Sequence, residues 1–133
     1  MAYYIKLYLA TFLAFLAIDA VWLGLVASTL YRRYLGFLMA PNPNWLAAIL
    51  FYLLFVVGIL VLVVLPGLEA NSLKTTLLRG ALFGLVAYAT YDLTNLATVK
   101  DWPLLITVVD MIWGTVLSVV VSYVGYVAGK WLS

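Results

Sequence analysis

WLAAILFYLLFVVGILVLVVL, from Trp45 to Leu65, contains no charged residue. As an α-helix it would cover about 30 Å at about 1.5 Å per residue, the thickness of a bilayer's hydrocarbon core. Lipid offers no partners to backbone polar groups, so an unbroken apolar run of this length predicts a transmembrane helix. To its left, Ala40-Pro41-Asn42-Pro43-Asn44 breaks the chain and offers Asn44 as an N-cap; to its right, Pro66-Gly67 reads as a stop. Working outward, an earlier apolar run extends from about Ile5 to Leu30 and ends at Tyr31-Arg32-Arg33-Tyr34. A third runs from about Thr75 to Val99. A fourth starts near Trp102-Pro103, with Asp101 as its expected N-cap, and continues to about Ala128. The expected fold is all-α, an integral membrane bundle of four transmembrane helices over residues 5–30, 45–65, 75–99 and 102–128, forming one domain across 1–133. The first run does not read as a cleaved leader, because it is too long, is interrupted by Asp19 and lacks a small-residue cleavage site.

Composition agrees: 68% hydrophobic residues, 9% charged residues and a mean hydropathy of +1.17 lie far outside the range of soluble domains. The lipid bilayer is the first partner. A net charge of +2 without any basic stripe argues against nucleic acid. Cysteine and histidine are both absent, which removes disulfides, thiolate chemistry and the common zinc and haem ligands. No cofactor motif is recognisable. Four spans would put both termini on one side, with Lys6, Lys74, Arg79 and Lys130 there and Arg32, Arg33 and Lys100 on the other, a small bias toward cytoplasmic termini.

The informative residues are three aspartates, Asp19, Asp92 and Asp110, inside these apolar runs. A carboxyl group in hydrocarbon costs several kcal/mol unless it is protonated, hydrogen-bonded, paired or wet, so each marks a functional-site hypothesis. Counting along antiparallel spans brings all three toward the membrane face that carries the Arg32-Arg33 loop and the Lys100-Asp101 turn. In the third span Tyr88, Asp92 and Asn95 share a helix face. Asp19-x-x-Trp22 and Asp110-x-x-Trp113 each place an indole one turn after an acid. The expected ligand-binding set is therefore Asp19, Trp22, Tyr88, Asp92, Asn95, Asp110 and Trp113. Gly80, Gly84 and Gly114 are expected at helix-packing seams, since small residues let membrane helices approach closely. The competing reading is that the acids are protonated glue between helices. Trp45, Trp102 and Trp131, like Tyr3, Tyr4, Tyr31 and Tyr34, fit an interfacial aromatic belt.

The combination Ile18-Asp19-x-x-Trp22-Leu23-Gly24, Phe51-Tyr52, Gly80-Ala81-Leu82-Phe83-Gly84, Tyr88 to Ala97, Trp102-Pro103 and Asp110-x-x-Trp113-Gly114 resembles the bacterial membrane family catalogued as domain of unknown function 2177. The resemblance covers nearly the whole chain. It implies a small multi-pass protein of the cell inner membrane and carries no activity with it.

Three function classes follow. The first is binding or transport of a small cationic or lipid-like ligand at the carboxylate cluster. The absence of a histidine, and of any lysine or arginine at the depth of the acids, favours a neutral or cation-occupied site over an ion pair. A hard cation on Asp92, Asn95 and Asp110 is chemically reasonable, since all three offer oxygen. The second is an accessory or assembly subunit of a larger membrane complex, or a homo-oligomer, docking through the small-residue stripes. The third is a lipid-directed enzyme using paired carboxylates as acid and base; lacking a catalytic motif, the chain reads more as a non-enzyme.

Overall fold

The computed structural model describes residues 1–133 and contains four helices and no strand. The first runs from Ala2 to Leu35, the second from Trp45 to Glu69, the third from Leu73 to Thr98 and the fourth from Leu104 to Leu132. They alternate in direction. The Tyr3 hydroxyl donates to the Gly129 carbonyl at 2.9 Å, and Lys130 bonds to Asn71, so both termini share one end with the 69–73 turn. The connections 36–44 and 99–103 lie at the other end. The first, second and fourth helices are long and apolar enough to cross a membrane. The third is long enough but more polar, carrying Lys74, Arg79 and Asp92 among its 26 residues.

Several boundaries differ from the sequence reading, each for a local reason. The first helix does not stop at Leu30 but continues through Tyr31-Arg32-Arg33-Tyr34 to Leu35. None of those residues breaks a helix, and Arg32 and Arg33 in the last turn complement its dipole. A π-helical turn, Leu23–Ala27, interrupts it just after Trp22. The second helix begins after Asn44, whose side chain accepts from the Ala47 N–H at 3.2 Å. It does not end at Pro66-Gly67 but runs to Glu69, with a π turn at Leu60–Val64 immediately before the proline. Pro66 has no N–H to offer the Leu62 carbonyl four residues back. Arg79 Nε from the third helix donates to that carbonyl at 2.8 Å. The third helix is capped by Ser72, which accepts from Thr75 N at 3.1 Å. Asp101 is not an N-cap; its φ of 61° places it in the turn, and the fourth helix starts after Pro103 without a side-chain cap.

Only 25 of 133 residues are buried, and Leu13, Leu25, Leu46, Leu54, Leu78 and Leu82 are more than half exposed. Water would penalise such a surface and a bilayer solvates it, which is why the outward faces can be apolar while polar groups turn inward. The apolar core joins the first, second and fourth helices through Leu7, Phe15, Phe55, Val56, Ile59, Val64, Leu117 and Val121. The third helix packs mainly on the fourth, across a seam of small residues. A Cβ on Gly80 would sit 2.6 Å from Ser122 Oγ, and one on Gly84 would sit 2.6 Å from Ser118 Cβ; one on Gly114 would collide with the Tyr88 ring. Backbones this close leave the two helices little freedom to slide, so the seam sets the register at which Asp92 meets Asp110.

Candidate functional site

At the end of the bundle away from the termini, the packing changes from apolar to polar. Asp92 faces the fourth helix from the third, one turn beyond Tyr88, and is completely buried. Its carboxyl neighbours that of Asp110, yet neither of its oxygens has a hydrogen-bond partner. Asp110 is half-buried, and its Oδ1 accepts from the Tyr31 hydroxyl at 2.6 Å. Asp19 accepts at Oδ2 from the Tyr52 hydroxyl at 2.9 Å. Two of the three acids thus each have a tyrosine donor from another helix, and the third has none. Groups of this kind are expensive to bury without partners, so the orphaned Asp92 oxygens call for a positive or donating neighbour.

Indole rings join the two carboxyl sites. Trp22 and Trp113 stack with centroids 4.2 Å apart and planes within 5°. Tyr31 meets the edge of Trp22 at 6.3 Å. Trp113 Nε1 is buried near Asp19 without a hydrogen bond. The stack therefore places the first helix against the fourth directly beside the acids.

An aromatic-walled cavity of about 300 Å³ leads to this cluster; Phe51, Ala87, Tyr88 and Tyr91 line it, and Asp110 is its one charged group. It lies between the second and third helices, which touch through Phe55, Phe83 and Tyr88 and part above that level. Phe51 and Tyr91 at its mouth are about half exposed on the flank of the bundle, 46% and 57% respectively. The opening is therefore lateral, and Asp110 lines the cavity whereas the fully buried Asp92 does not.

Of the residues singled out in the sequence, the structure brings Asp110 and Tyr88 to the cavity, buries Asp92 next to Asp110 without a place in the lining, and sets Asp19, Trp22 and Trp113 alongside. Asn95 makes no hydrogen bond to Asp92 and does not line the cavity; it lies by the Tyr91 hydroxyl instead. The three carboxyls do not converge into a group that could hold a metal ion. Gly80, Gly84 and Gly114 occupy the seam between the third and fourth helices. Sequence reasoning missed Tyr31, Tyr52, Phe51 and Tyr91 as parts of the site. Tyr31 in particular belongs to the acid cluster and not only to an interfacial belt. A regular helix would turn Tyr31 about 120° away from Asp19; the extra residue taken up by the π turn reduces that to about 20°.

The architecture is thus a four-helix membrane bundle with a buried acidic pair at one end. A family described as "Predicted membrane protein (DUF2177)" matches residues 4–127, and the chain belongs to that family. No curated protein and no solved structure is detectably similar to it.

Proposed function

We propose that this protein binds an amphiphilic organic cation, an alkyl ammonium, at the Asp92–Asp110 pair, reached laterally from the bilayer. The observation that carries the reading is the orphaned, fully buried Asp92 carboxyl next to the one acid that lines the cavity. Two neighbouring carboxyl groups inside an apolar bundle, with no basic side chain beside them, call for a proton or a cation. The cavity walls choose the kind of cation. Mg²⁺ or Ca²⁺ requires about six oxygen ligands, whereas Phe51, Tyr88 and Tyr91 offer ring faces that favour ammonium and accommodate an alkyl tail. An ammonium docked on Asp110 supplies the positive charge that the chain itself does not bring to the pair.

Such a protein would sit in the cell inner membrane with cytoplasmic termini and take its ligand from the leaflet at the opposite end. The test is thermal unfolding of the detergent-solubilised chain with hexylammonium and, separately, hexanol. Hexylammonium should raise the melting temperature of the parent and leave Asp92→Asn unchanged, with hexanol inert on both. Asparagine keeps the shape at position 92 and can donate to Asp110, so the variant should fold. Equal stabilisation by amine and alcohol, or an undiminished amine effect in Asp92→Asn, would sink the reading and leave the acids as helix glue.

A further inference from the structure

A second polar feature inside the bundle wall lies near the other end and is independent of the acid pair. Arg79 stands about 9 Å along the axis from Leu73, the first residue of the third helix, and forms no salt bridge. Its Nε is committed to the Leu62 carbonyl, the one whose usual donor four residues on is replaced by Pro66. The two terminal amino groups of the guanidinium remain. Arg79 is also the one charged group lining a groove of about 450 Å³, whose apolar walls are Leu62, Val63, Leu82, Phe83 and Val86. Leu62, Leu82 and Val86 are each more than half exposed on the outer surface, so this groove faces the acyl chains.

We infer that the groove holds an acidic phospholipid, with its phosphate on the Arg79 guanidinium and an acyl chain along the apolar walls. A guanidinium fixed at Nε presents its remaining N–H donors in the fork that suits phosphate. The backbone contact costs the side chain its freedom before any lipid arrives, so less is lost on binding. The charge balance of this end selects the headgroup. Lys6, Lys74, Arg79 and Lys130 lie there against Glu69 alone, a side-chain excess of three positive charges (4 − 1), which an acidic headgroup compensates and a zwitterionic one does not.

The experiment is native mass spectrometry of the full chain extracted from bilayers containing equal phosphatidylglycerol and phosphatidylcholine, with the melting temperature measured in phosphatidylcholine alone. The parent should retain phosphatidylglycerol at least tenfold over phosphatidylcholine. Arg79→Gln keeps an amide donor for the Leu62 carbonyl and removes the charge; it should lose that preference with little change in melting temperature. Arg79→Lys, which keeps the charge, should preserve part of the preference. Equal retention of the two lipids by the parent, or a full phosphatidylglycerol preference in Arg79→Gln, overturns the inference. The parent's own competition decides the matter even where a variant fails to fold.

Discussion

At the scale of single residues, the site is defined by who donates to which carboxyl. Tyr31 gives Asp110 its one protein hydrogen bond and Tyr52 gives Asp19 its own, while Asp92 receives none. Removing a donor from a carboxyl inside the bundle leaves the acceptor unpaired, so Tyr31→Phe should lower the unfolding free energy by about 1 kcal/mol. Tyr34→Phe, whose hydroxyl makes no hydrogen bond within the chain, should change it little. Denaturant titration in detergent micelles compares the two, and equal effects would remove Tyr31 from the site. The acids were legible in the sequence because a carboxyl in an apolar run is conspicuous. Tyr31 and Tyr52 were not, because a tyrosine near the end of a membrane helix looks the same whether it anchors the helix at the interface or reaches inward to an acid. Asn95 shows the reverse error: helical spacing put it on the face of Asp92, but sharing a face does not make two side chains meet.

At the scale of elements, runs of about 20 or more mostly apolar residues revealed all four helices, since a segment of that length satisfies its own backbone in lipid by coiling into a helix. It did not reveal the two π turns, which leave no compositional trace and yet decide where Tyr31 points and how the second helix passes through Pro66. Pro66-Gly67 fails as a stop because Arg79 donates to the Leu62 carbonyl that the proline cannot serve, and Gly67 itself packs closely on Thr76. Glycines carry separable roles that substitution can distinguish. Gly84→Leu would drive a side chain into Ser118 and the Gly114 backbone and should destabilise the bundle by about 3 kcal/mol or more. Gly24 lies in the first helix with nothing within 4 Å of a Cβ; Gly24→Ala should be neutral or stabilise by up to about 1 kcal/mol. Thermal unfolding of the two variants side by side checks the pair, and a silent Gly84→Leu would mean that the third and fourth helices do not meet at this seam.

At the scale of the whole molecule, the bundle is divided along its axis. The apolar core ties the first, second and fourth helices together toward the terminal end, and the small-residue seam ties the third to the fourth. Toward the opposite end the second and third helices part, and the polar cluster fills what the core leaves. Even a chain this short encloses a cavity of about 300 Å³ that opens on the flank of the bundle. Ligand binding at the pair predicts a difference readable on the intact protein: in detergent solution, added hexylammonium should raise the melting temperature of the parent and leave that of Asp110→Asn unchanged. The most direct test of the central claim is native mass spectrometry of the protein gently extracted from its own membrane, beside Asp92→Asn and Asp110→Asn. The account predicts a small nitrogen-containing mass retained by the parent and lost from both variants. A parent that carries no small molecule, or one whose bound mass survives both substitutions, would contradict it.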